Sequence, residues 1–143
     1  MKKILIMMAF ALMSIAANAF EFDGIDLNGN VVDISKKVAQ KGYVFDPESG
    51  RLTGNCAGIQ LYISMEYDNV TEPGKLGRFI VDIPMNNPSA VQIVASTFAV
   101  IYHSLPSKAD SKEFLVSNDG TVASVQAINN GVRLVYTTPY CQK

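Results

Sequence analysis

Few side chains in this sequence could carry out chemistry, and their spacing excludes most familiar reactions. His103 is the only histidine among the 143 residues, so any Ser–His–acid triad would have to use it. Ser104 and Ser107 are close in sequence, but the G-x-S-x-G turn that exposes a hydrolase nucleophile is absent. We therefore interpret His103 as a residue at a helix C-terminus, where the helix dipole favours a cation. The sequence predicts no catalytic residue.

The two cysteines of the chain, Cys56 and Cys141, allow three interpretations. Cysteine catalysis needs a thiolate partnered by a base, which Cys56 and His103 could supply in principle. Two buried thiols are a second alternative. We favour a structural disulfide, because an even pair in an oxidising compartment normally forms one. Without a C-x-x-C motif redox catalysis is disfavoured, and one histidine with two distant cysteines falls short of a zinc site. The sequence predicts no metal and no cofactor.

Five acidic residues lie close together in a strand-and-loop region. Paired carboxylates can hydrolyse glycosides when they converge at roughly 5–10 Å, or they can hold calcium. The alternating acids of a calcium loop are absent, as are glycine motifs for phosphates or dinucleotides. We favour solvated turn residues and keep a carboxylate-dependent hydrolase, acting on envelope or dietary glycans, as the alternative function. These acids are Asp46, Glu48, Glu66, Asp68 and Glu72.

The N-terminus has the three parts of a cleavable signal peptide. Lys2 and Lys3 precede an apolar core over residues 4–12, and Ala17-Asn18-Ala19 supplies the small residues that signal peptidase accepts. A membrane anchor needs about 20 apolar residues, so cleavage before Phe20 is favoured. We expect an exported protein, periplasmic or secreted, with no membrane anchor after cleavage.

The remaining chain has the size of one domain and a weak acidic balance. Residues 20–143 number 124 and carry ten basic against 13 acidic residues, a net charge of −3 with the histidine neutral. Neither sign forms a long run. A basic stripe for nucleic acid is therefore missing, and so is a polybasic patch for a membrane surface.

The hydrophobic pattern predicts two helices among many strands. A short helix is expected near 34–41, capped by Asp33, and a long one near 88–104, with proline in its first turn. The clearest strand is 59–67, where apolar and polar residues alternate. Each helix precedes three or four strands. This order predicts an α+β fold with an antiparallel sheet packed by two helices. Two degenerate helix-plus-meander units are one organisation it leaves open.

Strand parity predicts a partner-binding face on the outer side of the sheet. If the apolar residues of 59–67 face the core, Tyr62 must face outward, because side chains alternate along a strand. The same parity in two later strands turns apolar and arginine side chains outward, a composition found at protein interfaces. A face covered by the first helix is the alternative. The predicted partner face consists of Tyr62, Arg78, Ile80, Arg133 and Val135.

Four short motifs stand close together in the first third of the mature chain. They are Phe22-Asp23-Gly24-Ile25, then Gly29, then the run from Lys37 to Tyr43, and Leu52-Thr53-Gly54 with Ala57-Gly58. This segment resembles a family of uncharacterised small exported proteins of Bacteroidota. Those proteins carry F-x-G-I, a following glycine, K-L-x-x-K-G-F and L-x-G-x-x-A-G. The resemblance implies export and supplies no activity.

The predicted order of elements is also similar to exported modules of the peptidase-propeptide or β-lactamase-inhibitor type. That likeness concerns topology alone, and fold does not imply function. With no catalytic constellation in the sequence, we expect a non-enzymatic binding module that recognises a protein or peptide partner. Inhibition is one form such binding could take.

Overall fold

The computed structural model describes residues 21–22, 25–27, 29–56, 58–67, 74–85, 87–101, 103–104, 111–116 and 120–141. The predicted signal peptide and its cleavage site lie outside the described residues. The elements in chain order are β1 (Glu21–Phe22), β2 (Ile25–Asp26), α1 (Val31–Gln40), β3 (Val44–Asp46), β4 (Arg51–Cys56), β5 (Ile59–Tyr67), β6 (Leu76–Pro84), α2 (Ala90–Ile101), β7 (His103–Ser104), β8 (Ser111–Leu115), β9 (Val122–Ile128) and β10 (Gly131–Thr137).

The described strands form a β1–β2 hairpin and an eight-stranded antiparallel sheet in the order β3-β4-β5-β6-β10-β9-β8-β7. Helix α1 precedes the meander β3 to β6, and α2 precedes the meander β7 to β10. The last strands of the two meanders, β6 and β10, pair at the centre, where Leu134 lies opposite Val81. The predicted α+β class is confirmed, and the described elements from α1 to β10 form two helix-plus-meander units.

Both helices pack on the same face of this sheet. The α1 residues Ile34 and Val38 are buried, and Ser35 Oγ lies 3.9 Å from Met65 Sδ on the core side of β5. The Phe98 ring of α2 lies 5.6 Å from the ring of Phe114 on β8. Burying the apolar face of each helix against the sheet is the main driving force for this arrangement.

The β1–β2 hairpin packs into the core beside α1. Its Phe22 is fully buried and its ring centroid lies 4.9 Å from that of Phe79 on β6. The Phe79 ring in turn lies 6.3 Å from Tyr136 on β10. Tilted aromatic pairs at these distances add to the free energy of apolar burial. The hairpin therefore ties the N-terminus to the central strands.

Helix α1 begins earlier than the sequence predicts. Its N-cap is Asn30, whose side-chain oxygen accepts a 2.8 Å hydrogen bond from the Val32 N–H. Asp33, the predicted cap, lies in the first turn, where a carboxylate is favoured by the helix dipole. The predicted end is observed, because Gly42 follows the helix with a φ of 99°, a conformation that favours glycine.

Helix α2 ends earlier than predicted. It also begins later than predicted, at Ala90. Asn87 Oδ1 accepts a 2.9 Å hydrogen bond from the Ser89 N–H in the turn that precedes the helix. At its end, the chain leaves the helix after Ile101 to pair with β8. His103 therefore lies in β7, opposite Leu115, and not at a helix C-terminus.

The predicted disulfide between Cys56 and Cys141 is wrong, since the two residues are not bonded to each other. Cys56 lies opposite Ile59, the first residue of β5. Cys141 lies against Gly77: a Cβ added there would meet Cys141 Cα at 3.4 Å and Glu66 O at 3.4 Å. Ile59, opposite Cys56, and Glu66, near Cys141, are seven positions apart along β5, which corresponds to about 23 Å. A disulfide needs Cα atoms within about 7 Å of each other.

Two of the short motifs meet at one contact in the core. Tyr43, which ends the run that begins at Lys37, is 2% exposed, and its ring lies against Gly54 of β4. Any Cβ at Gly54 would overlap with that ring. Gly54 is not among the glycines with a positive φ, so its backbone conformation does not require glycine. Glycine is needed there because a side chain would overlap with Tyr43.

Candidate functional site

The face of the sheet opposite the helices carries all five residues of the predicted partner face. Tyr62 lies opposite Asp82, and Asp82 lies opposite Arg133. In the next row Ile80 lies between Ser64 and Val135, and in the third row Arg78 lies between Glu66 and Thr137. We call this surface the outer face; it consists of Tyr62, Ser64, Glu66, Arg78, Ile80, Asp82, Arg133, Val135 and Thr137.

A buried carboxylate organises one end of the outer face. Asp82 is only 5% exposed. Arg133 binds it with two hydrogen bonds, Nε to Oδ1 at 2.6 Å and Nη2 to Oδ2 at 2.9 Å. Arg51 of β4 donates from Nη1 to Oδ2 of the same carboxylate. The hydrogen bond to Asp82 raises the pKa of the Arg133 guanidinium. Asp82 thereby connects β4, β6 and β10.

Arg51 also covers the ring of Tyr62, with Cζ 4.6 Å from the ring centroid. This is a cation–π contact, so one guanidinium holds both the tyrosine and the aspartate in place. Two arginines share one carboxylate, which leaves the cluster with one excess positive charge. The result is a rigid group of side chains on the outer face. We call Arg51, Tyr62, Asp82 and Arg133 the arginine cluster.

Arg78 differs from Arg133 in its surroundings. Its Nη1 donates to Glu66 Oε2 at 3.0 Å, and the side chains of the pair are 39% and 53% exposed. The hydrogen bond that Arg78 donates to Glu66 raises the pKa of Arg78. An ion pair this exposed contributes at most about 1 kcal/mol to stability. Arg78 therefore lies at the rim of the outer face. Exchanging its contact with Glu66 for a contact with another group would cost little free energy.

An open groove of about 620 Å³ runs beside the arginine cluster. Arg51, Tyr62 and Asp82 line it, together with the β3–β4 turn on one side and the β9–β10 turn, Asn129–Asn130, on the other. Asn129 and Asn130 offer both donors and acceptors. The groove therefore combines a tyrosine, an arginine and amides, groups suited to holding a polar or peptide ligand.

Three carboxylates line this groove, so the hydrolase alternative can be examined there. Ser49 Oγ donates to Asp46 Oδ2 at 2.8 Å, which lowers the pKa of Asp46. Asp82 accepts three hydrogen bonds from guanidinium groups. A glycosidase needs one acid with a raised pKa to protonate the leaving group. Asp46 and Asp82 already accept these side-chain hydrogen bonds, so Glu48 is the carboxylate of the three that is left as a candidate acid.

The remaining candidates from the sequence add no second site. Glu66 is paired with Arg78, and Asp68 and Glu72 lie outside the described residues. Within the described ranges, no group of three or more metal-binding side chains is placed to hold an ion. The helices described here are too short or too polar to cross a membrane.

Comparison with protein-family models, curated proteins and solved structures finds no match to this chain. The resemblance to the Bacteroidota family therefore stays a prediction. Sequence reasoning identified Tyr62 and Arg133 but missed Asp82 and Arg51. The parity of β6 turned Asp82 outward, where a carboxylate is usually solvated, so nothing in the local sequence indicated that it would be buried and need a charged partner. Which arginines supply that partner depends on strand order.

Proposed function

We propose that this protein is an exported, non-enzymatic module that binds a protein or peptide partner through the outer face. The observation that carries this proposal is the arrangement of Ile80 and Val135. They are direct cross-strand partners at the centre of a sheet face on which, among the described residues, neither helix packs. A half-buried apolar centre with a tyrosine and arginines at its rim is the composition of protein interfaces.

The rigidity of the arginine cluster supports binding. A binding surface whose side chains are already ordered loses less conformational entropy when a partner docks. Arg51 fixes Tyr62 from one side, and Asp82 fixes the guanidinium of Arg133. Both groups sit on strands, which hold side chains more firmly than loops do. Such a surface suits an inhibitor-like or assembly role.

The groove carboxylates favour binding over glycan hydrolysis. Asp82 is occupied by arginines and the pKa of Asp46 is lowered, so neither supplies the protonated acid that hydrolysis requires. Location in the periplasm or outside the cell is part of the same proposal and is supported by the pattern of residues 1–19. The partner is then a protein or peptide of the cell envelope or its surroundings.

The proposal is tested by capture from a native envelope extract with the tagged, exported protein. Val135→Glu places a charge at the apolar centre of the outer face and should abolish capture of the specific partner. Val32→Glu is the matched control, because Val32 is 56% exposed on α1, on the other side of the sheet. Each variant is first checked for an unchanged thermal unfolding transition.

Two results would contradict the proposal. One is a captured partner that is retained equally by both variants. The other is release of reducing sugar from envelope glycans by the wild-type protein, with loss of that activity in Glu48→Gln. The second result would establish the hydrolase alternative.

A further inference from the structure

One edge of the sheet exposes large apolar side chains. In the described sheet order β3 is the outermost strand and pairs with β4. Val44 and Phe45 of this strand are 62% and 63% exposed. Alternate N–H and C=O groups of an edge strand point away from its neighbour and can pair with another strand. The edge therefore offers both backbone hydrogen bonds and apolar contact.

The edge strand β3 is short and ends in Asp46, but it contains no lysine, proline or β-bulge. Edge strands are usually protected by lysine, proline, a β-bulge or very short length. The residues of β3 are Val44, Phe45 and Asp46, with an unbroken three-residue register to β4. The opposite edge, β7, has only two residues in the described sheet. The longer of the two described edges is thus the one that carries the exposed Val44 and Phe45.

The charges that flank β3 indicate what would pair with it. Lys41 precedes the strand, Asp46 is its last residue and Glu48 follows it, and all three positions are at least partly exposed. Hydrogen bonding from Ser49 lowers the pKa of Asp46, so this end is anionic at neutral pH. A second copy in the antiparallel direction brings the end of β3 that follows Lys41 next to the end of β3 that precedes Glu48 in that copy. A parallel copy would place like charges together.

We propose that β3 is a self-association edge, which pairs antiparallel with β3 of a second copy of this chain about a two-fold axis near Phe45. Two eight-stranded sheets then become one continuous sheet. An axis perpendicular to the sheet keeps all helices on one side, so the two outer faces lie side by side. This inference does not depend on the function proposed for the outer face.

The contact is short, so we expect weak association. Small interfaces are typically transient, and the dimer should appear between about 1 μM and about 1 mM. Sedimentation equilibrium of the full exported protein over this range measures the dissociation constant. Phe45→Lys places two lysines opposite each other at the axis and should weaken the dimer at least about tenfold. Val32→Lys, an exposed apolar residue on α1, is the matched control and should have no effect.

Charge reversal tests the direction of pairing. Lys41→Glu and Glu48→Lys should each weaken the dimer, and the double variant should restore it, because the opposite charges face each other again. Raising salt from about 0.01 M to about 1 M shortens the screening length from about 30 Å to about 3 Å. It should therefore reduce the difference between the single variants and the wild type.

Three outcomes would overturn the proposal. The first is a wild-type protein that stays monomeric at all protein concentrations tested. This includes the case in which the edge binds an added extended peptide and not a second copy. The second is a dimer that persists in Phe45→Lys. The third is a double charge variant that is as weak as the single variants.

Discussion

Replacing Asp82 by asparagine should destabilise the protein more than any other conservative change on the outer face. The substitution keeps the shape of the side chain and removes its charge. The amide retains one acceptor oxygen, but it directs its N–H donors toward the guanidinium donors of Arg51 and Arg133. The three hydrogen bonds that now connect β4, β6 and β10 are lost or weakened together.

The magnitude follows from burial. Breaking a fully buried ion pair by removing one partner costs about 3–5 kcal/mol. Asp82 is buried, but the side chains of Arg51 and Arg133 are 31% and 41% exposed. Water can therefore solvate both arginines after the change, which reduces the cost. We expect Asp82→Asn to lower the free energy of unfolding by about 2–3 kcal/mol.

Urea denaturation of the exported protein measures this change, with the m-value as a check that unfolding remains two-state. Arg78→Gln is the matched control, because it breaks the exposed pair with Glu66 and should cost less than about 1 kcal/mol. If Asp82→Asn costs no more than Arg78→Gln, the arginine cluster does not hold the central strands together.

Three further predictions concern processing, the cysteines and the core. Intact-mass analysis of exported protein should give Phe20 as the first residue, and recovery of a chain that retains residues 1–19 would refute cleavage. Because Cys56 and Cys141 lie at opposite ends of β5, the denatured chain should migrate identically on gels with and without reductant; a faster non-reduced band would reveal a disulfide. Gly54→Ala should destabilise by about 1–3 kcal/mol in urea because its methyl group would overlap with the ring of Tyr43, and a stability equal to wild type would contradict that packing.

The local pattern of the sequence predicted the faces of the strands correctly. The alternation within 59–67 placed Leu61 and Ile63 in the core, where both are buried, and turned Tyr62 to the other side. The order of helices and strands was also compatible with the two helix-plus-meander units that are observed. Both inferences depend only on neighbouring residues and on short connections, which hairpin turns and helix caps encode locally.

Features that depend on strand order could not be obtained in this way. Cys56 and Cys141 looked like a disulfide because the local sequence does not show that Cys141 lies near Glu66, at the far end of β5 from Cys56. Asp82 found its partners on β4 and β10, which are 31 and 51 residues away from it in sequence. Pairing with β8 likewise ended α2 before His103, although the apolar pattern continued.

Two capping residues close together explain the error at the start of α1. Asn30 and Asp33 are both good N-caps, and local sequence does not choose between them. The backbone contact between Val31 N–H and Gly74 O, at 2.7 Å, anchors the earlier start to a distant turn. Tertiary contact therefore decided the boundary.

The most direct test of the central claim is site-specific photo-crosslinking in cells that export the protein. A photoreactive amino acid at Ser64, which lies opposite Ile80 on the outer face, should yield a discrete adduct with the partner. The same group at Val32, on the other side of the sheet, should yield none. Adducts at Val32 but not at Ser64 would contradict the account.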